Sequence, residues 1–232
     1  MATVSYRQFC PLAMAAEILC NRWTIVLLRE LCAGSTRFND LRRGVPRMSP
    51  ALLSTRLKEL EAHGVLNRCL VQDRPELFEY RLTKAGAELA PVVEAIGIWG
   101  HRWVETDLSL DNLNPCLLMR DMRRGLNITL LPPRRVTVQF IYPELTTALG
   151  NWWLLIDPKT GVDLCSVDPG FDVDLFCRCS LRTMTAIWMG LDKVSMALAD
   201  DRLSLLGDKG IATNMQAWLG LSPFAVQEKQ VN

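Results

Sequence analysis

The sequence predicts an α+β chain in two parts, a helical front part closed by a small hairpin and a mixed α/β rear part. Three observations predict it. The front part alternates apolar helical stretches with Gly and Pro stops. Two short extended runs then precede one more helix. Beyond residue 114 the texture changes to short strands separated by turns such as Asp157-Pro158-Lys159-Thr160-Gly161 and Asp168-Pro169-Gly170. The 232 residues suffice for two ordinary domains. With 49% apolar and 22% charged residues, the composition is that of a globular chain and not a disordered one.

Each front element has its own start and stop. Pro11 to Cys20 has a helical pattern, with Pro11 suited to the first turn. Arg22 to Ala33 is a second apolar helix stopped by Gly34. A short third helix lies around Phe38 to Arg43 and ends at Gly44. Ser49 caps a fourth, Pro50 takes its first position, and it runs to about His63 before Gly64. Val65 to Val71 and Leu77 to Thr83 read as a hairpin around the polar turn QDRPE. Thr83 caps a long helix that Pro91 should kink or break. Four helices, two strands and a helix, in that order, make a winged helix-turn-helix plan.

Domain limits follow: residues 1–103 for this plan, an acidic linker at 104–114, and a second domain at 115–232. In the second domain Val136, Val138, Phe140 and Tyr142 alternate onto one strand face. NWWLLID, VDLCSV and DVDLFCRCS read as further strands. Leu181 to Gly190 and Lys193 to Ala199 read as helices, Leu203 to Leu206 as a strand, and a last helix ends near Trp218.

Charge separates the two parts. The net charge is only +1, yet residues 1–103 carry 14 Lys and Arg against 10 Asp and Glu, and the remainder carries 12 against 15. A basic front part fits a polyanionic partner. On a helical wheel Leu53, Leu57 and Leu60 form the core stripe of the fourth helix. Ala51, Thr55 and Lys58 fall opposite, with Ser54 on the flank. Such a face, small, polar and basic, suits entry into a major groove. Ser49 and Pro50 at the helix start join it, and Arg37, Arg42, Arg43, Arg47 and Arg56 surround it as candidate phosphate contacts. Arg56 has a competing role, pairing with a carboxylate such as Glu59 or Glu30. Arg74 at the hairpin turn is placed to reach a minor groove. The expected partner is double-stranded DNA.

The motifs Cys10-Pro11, Arg22-Trp23, Arg37-Phe38, Ser49-Pro50, Arg56-Leu57, Glu59-Leu60, Gly64 and Leu82-Thr83 resemble the HxlR-type winged-helix transcription regulators over roughly residues 9 to 103. The family's P-x-x-V-E-Y approach to the second strand is PELFEY here, which keeps Pro75, Glu79 and Tyr80. The resemblance implies a homodimer joined through its first and post-wing helices, bound to a two-fold operator. It also implies, for some members, oxidant sensing through a cysteine matched by Cys10. A thiol near a helix N-terminus has a physical reason to be reactive, although packing at the dimer interface is the competing role.

The stretch from Leu181 to Phe224 is similar to the SCP2-like, sterol-carrier-type lipid-binding fold. That resemblance implies an apolar tunnel, for which Trp153, Met184, Ile187, Trp188, Met196 and Trp218 are candidate lining residues; plain core is the alternative for each. The expectation is a ligand-responsive regulator whose effector is an apolar or amphipathic small molecule. A thiol-based regulator or a lipid carrier is the alternative.

Other classes have little support. There is no Gly-rich phosphate loop, no G-x-S-x-G and no H-E-x-x-H, so no enzyme is expected. Asp172 and Asp174 share a strand face, most simply a solvated one. The eight cysteines include no C-x-x-C, and neither His63 nor His101 has zinc-type spacing, so no metal or cofactor is expected. Every apolar run is cut by charge or Pro well short of about 18 residues, and Glu17 interrupts the N-terminal one, so neither membrane span nor signal peptide is expected. The expected location is the cytoplasm.

Overall fold

The computed structural model describes residues 5–71, 74–105 and 110–231. It divides into two compact units between Ile96 and Gly97. The division falls inside a helix, seven residues before the boundary read from the sequence. Of the expected linker, residues 106–109 lie outside the described residues, while Leu110 is buried.

In the first unit the elements are α1 (Pro11–Leu19), α2 (Thr24–Cys32), α3 (Phe38–Gly44), α4 (Pro50–Ala62), β1 (Leu66–Val71), β2 (Arg74–Leu82), α5 (Lys84–Ala87) and the start of α6 (Ala90–Trp103). The predicted long last helix is broken in two, and Pro91 sits in the first turn of α6, where its missing N–H is no loss. Ser49 Oγ accepts from Leu52 N at 3.3 Å and Pro50 opens α4. The helix stops at Gly64, whose φ of +69° only glycine adopts without strain. There Gly64 N donates to Glu61 O and Val65 N to Leu60 O, satisfying carbonyls that the helix end would leave bare. Leu53, Leu57 and Leu60 of α4 join Leu27 and Leu28 of α2 and Leu41 of α3 in one apolar core. Burying each leucine contributes about 2 kcal/mol.

One charged group lies inside this unit. The Glu30 side chain, near the end of α2, is fully buried. Its Oε1 is 2.8 Å from Arg29 Nη2, and its Oε2 accepts from Ser35 Oγ at 3.3 Å. Arg29 Nη2 also donates to the carbonyl of Gly44 at 3.2 Å, so the same guanidinium holds the end of α3. A Cβ on Gly44 would lie 2.1 Å from the Glu30 carboxyl group. Gly44 is thus needed for space: a side chain there would displace the carboxylate. The hairpin joins the assembly through Tyr80 N, which donates to Thr36 O at 2.8 Å.

The second unit contains α7 (Pro115–Gly125), a 3-10 turn (Ile128–Leu130), β3 (Val136–Ile141), α8 (Thr147–Gly150), β4 (Asn151–Asp157), β5 (Gly161–Cys165), β6 (Leu175–Cys179), α9 (Leu181–Trp188), α10 (Val194–Ala199), β7 (Leu203–Gly207), α11 (Lys209–Thr213) and α12 (Met215–Leu219). Helix α7 starts as α4 does: Asn114 Oδ1 accepts from Leu117 N at 3.0 Å and Pro115 takes the first position. The five strands are ordered β5-β4-β3-β6-β7, with β3 and β6 parallel and the other pairs antiparallel. Val136, Val138 and Phe140 point inward as the alternation requires, together with Trp152, Leu154 and Ile156 from β4. Buried side chains of α7, α9, α10, α11 and α12 join the same cluster, so these helices cover one face of the sheet. Asp174 is structural: its carboxylate accepts from Thr137 N at 2.8 Å and from Arg134 Nη1 at 2.7 Å. Among the described residues no single helix is long and apolar enough to cross a membrane.

Glu30→Ala should destabilise the first unit by about 3 kcal/mol, the cost of breaking a buried charge pair. Gly44→Ala should cost about 1–3 kcal/mol by overpacking. The double variant should cost clearly less than the two together, because removing the carboxylate makes room for the new methyl. Urea unfolding of the four proteins checks this, and strict additivity would contradict the packing described.

Candidate nucleic-acid interface

The outer surface of α4 is built by its inner one. With Leu53, Leu57 and Leu60 fixed in the core, the 100° turn per residue turns Ala51, Thr55 and Lys58 to solvent, and all three are exposed. Ser54 is half-buried on the flank; Ser49 and Pro50 are exposed at the N-terminal end. The helix is about 20 Å long and narrow enough for a major groove. Thr55 Oγ1 donates to Ala51 O at 3.0 Å. Its hydroxyl hydrogen is therefore engaged within the helix, and its lone pairs and methyl group are what it offers outward.

The arginines divide into three groups. Arg42 and Arg43 line a shallow open recess of about 400 Å³ with Asn39 and Pro46. Arg43 lies 3.1 Å from Asp40 Oδ1, an exposed pair of little strength, whereas Arg42 and Lys58 make no ion pair among the described residues. Arg37 is exposed 3.9 Å from Glu79 Oε1, and Arg47 is exposed on the α3–α4 turn. Arg56 stands apart from these. Its Nε donates to Arg22 O at 3.2 Å, its Nη1 pairs with Glu59, and its side chain is 16% exposed. This corrects its assignment as a phosphate contact: it ties α4 to the start of α2.

In the hairpin, Arg74 is exposed and opens β2 opposite Val71, with residues 72 and 73 of the predicted turn outside the described residues. Two residues of this surface were missed from sequence. Asn39, exposed in the first turn of α3, lines the recess beside Arg42 and Arg43. Arg68 is exposed on β1, its guanidinium 3.7 Å from the Phe78 ring centre. The pairing register, with Arg68 opposite Tyr80 and Leu70 opposite Phe78, sets Arg68 and Phe78 diagonally across the ladder, which neither strand shows by itself.

The remaining candidates lie elsewhere. Met184, Ile187, Trp188 and Trp218 are interior to the second unit, with Trp218 Nε1 donating to Ile211 O at 2.8 Å. Trp153 is buried too, but on the strand face opposite Trp152 and Leu154, outside that cluster. Met196 is 54% exposed and shares no interior with the others, which corrects its place in the set: α10 turns Val194 and Ala197 inward instead. Cys10 is the half-buried N-cap of α1 and makes no side-chain capping bond. Burial pushes the thiol of Cys179 up to about 12 and that of Cys177 well above its ordinary value, so both are held as inert core thiols. Among the described residues no three His, Cys, Asp or Glu side chains are grouped to hold a metal.

A capped helix with a polar and basic outer face, set on a helical core and followed by a hairpin, defines a helix-turn-helix protein of the DNA-binding class. Residues 18–108 match the family model described as HxlR-like helix-turn-helix. The HTH-type transcriptional regulator YvaP of Bacillus subtilis is 37% identical over 99 residues, which is 42% of this chain and 92% of that protein. The HTH-type regulator sll1512 of Synechocystis is 38% identical over 98 residues, 42% of this chain and 73% of its own. The chain belongs to the HxlR-like helix-turn-helix family and is a transcription regulator, the family match lying in its front part. Among solved structures, the redox regulator HypR in its reduced form is 32% identical with a TM-score of 0.37, covering 39% of this chain and 90% of that one.

On duplexes selected by the wild-type chain from a random pool, Arg42→Ala should weaken binding to all sequences alike and reduce the salt slope by about 1. Lys58→Met and Thr55→Val should instead change the preferred bases, at about 1–3 kcal/mol per altered contact. Gel shifts across a salt series on selected and scrambled duplexes separate the two behaviours, and a uniform loss from Lys58→Met would refute the division.

Proposed function

We propose that the protein is a dimeric, cytoplasmic regulator that binds a two-fold DNA operator through α4 and responds to an apolar or amphipathic small molecule in its second unit. The observation that carries the DNA half is the exposed face of Ala51, Thr55 and Lys58 beside Arg42, Arg43 and Arg47. In this reading α4 enters the major groove, the arginines fix its register on phosphates, and Arg74 reaches the neighbouring minor groove.

A homodimer is favoured by α1. This helix has nine residues and none of them is buried, while Phe9 and Leu12 are 97% and 78% exposed. Ile18 and Leu19 at its C-terminal end pack against the core, while its first turn presents apolar side chains to solvent; so short a helix gains from a further partner face. Exposed Val92, Ile96 and Trp99 on α6 offer an apolar surface of the same kind. Both helices are those that the family resemblance assigns to the dimer.

The effector half rests on the second unit. An SCP2-like assignment fits a sheet covered on one face by helices. Met119, Met122, Met184 and Met215 are all fully buried between them. Thioether side chains repack at low cost, so an interior rich in them can yield space to an apolar guest beside Ile187, Trp188 and Trp218. Trp153 and Met196 are not part of that interior. No catalysis enters the proposal.

A fluorescent fatty-acid probe should bind the full chain and shift its affinity for the selected duplex about 5- to 150-fold, the range of ordinary allosteric coupling. Fluorescence titration with and without duplex measures this. A probe that binds without changing duplex affinity rules out the sensing half. Cys10→Ser distinguishes the thiol alternative: this account expects the variant to respond to oxidant as the parent does.

A further inference from the structure

We infer that the C-terminal tail, residues 221–231, is a strap that carries the state of the second unit's interior to the end of α6. The inference rests on the effector reading above and goes beyond it by naming the part that moves.

The end of α6 gives the tail something to hold. The last carbonyls of a helix find no partner within it. Here the tail supplies partners: Lys229 Nζ donates to His101 O at 3.2 Å and also to Val104 O, and Gln230 N donates to Arg102 O at 2.9 Å. An ammonium group at this position also meets the negative end of the helix dipole. About one turn earlier, Phe224 lies against α6 where Gly97 leaves room. A Cβ on Gly97 would come within 2.3 Å of the Phe224 ring. Trp99 and Trp103, on the turns so held, are 61% and 47% exposed.

The other end of the strap is fastened to the interior. Ser222 N donates to Trp188 O at 2.8 Å. Ala225 folds over Gly190, just beyond α9, with its Cβ 3.3 Å from where a Cβ on Gly190 would stand. Trp188 belongs to the core cluster, and its ring packs so closely on Gly125 that a Cβ there would be 2.3 Å away. A residue in such close packing cannot yield space to a guest without shifting, and its carbonyl is the anchor of the strap. Between its two ends the strap contains no helix or strand, and Leu221 and Val226 are 42% and 64% exposed. Segments with few buried apolar contacts open at low cost in free energy. A guest that moves Trp188 therefore favours the released strap, which leaves the α6 carbonyls bare and frays the last turns. Because α6 belongs to the dimer surface of the reading above, that fraying reaches duplex affinity.

The test follows amide hydrogen exchange by mass spectrometry in the full chain, with and without the fluorescent fatty-acid probe, and measures duplex affinity alongside. Saturating probe should raise exchange at residues 98–104 and 222–231 together. Lys229→Met and Phe224→Ala should each raise exchange at 98–104 before any probe is added. In both, the probe should shift duplex affinity by a factor of about one, against the roughly 5- to 150-fold shift of the parent. Lys229→Arg keeps a cation for the carbonyls and should respond as the parent does. Lys229 and Phe224 are half-buried and outside the core cluster, so the variants should fold, and thermal melts verify it. Exchange at 98–104 that stays unchanged or slows with the probe bound overturns the inference and leaves the effector reading standing. A full duplex shift retained in both Lys229→Met and Phe224→Ala does the same. A chain that binds no probe overturns the effector reading and this inference together.

Discussion

The buried Glu30 carboxylate is the constraint on which the reader half depends. A fully buried charge is tolerated only if it is paired and hydrogen-bonded, and here Arg29 and Ser35 do both. The same Arg29 guanidinium holds the Gly44 carbonyl, and Gly44 lacks the side chain that would push the carboxylate away. The end of α2 is thereby locked to the end of α3. Only five residues, Val45 to Ser49, separate α3 from α4, so the lock limits the directions in which α4 can leave. Its leucine stripe then fixes its rotation, and the rotation decides which side chains face outward.

This order of dependence explains what could be read from the chain alone. The capping signals at Ser49-Pro50 and Gly64 and the stripe of Leu53, Leu57 and Leu60 are local, and each appears in the structure as the sequence implies. The exposed face of α4 follows from them by geometry. Gly44 was legible as a stop but not for its actual reason, since the nearby group is fourteen residues away. Arg56 and Arg68 show the same limit. One is claimed by the fold through Arg22 and Glu59, the other is oriented by a ring across the hairpin, and neither fact is contained in a helical wheel or a strand alternation.

The rear unit was less legible. Its strands appear near their expected places because alternation marks them, although Asp172 to Asp174 precede β6 instead of belonging to it. Helix α7 escaped notice because its apolar positions are interrupted by Arg120, Asp121, Arg123 and Arg124, although Asn114-Pro115 carries the same start signal as Ser49-Pro50. The lining set was drawn from residue types alone, and types do not tell which way a side chain points. Four of the six share the core, Trp153 is buried on the other side of the sheet, and Met196 faces solvent. What the unit contributes physically is an interior of methionine and tryptophan under a helical layer, with the starts of the central strands β3 and β6 joined by the Asp174 bonds to Arg134 and Thr137.

The central claim is that α4, held by the α2–α3 lock, is the element that enters the duplex. Photo-crosslinking tests it most directly. A benzophenone side chain placed at Thr55 in the full chain should react with major-groove bases of a bound duplex, whereas the same group at exposed Leu198 should not. Crosslinks from Leu198 alone, with duplex binding intact, would contradict the account.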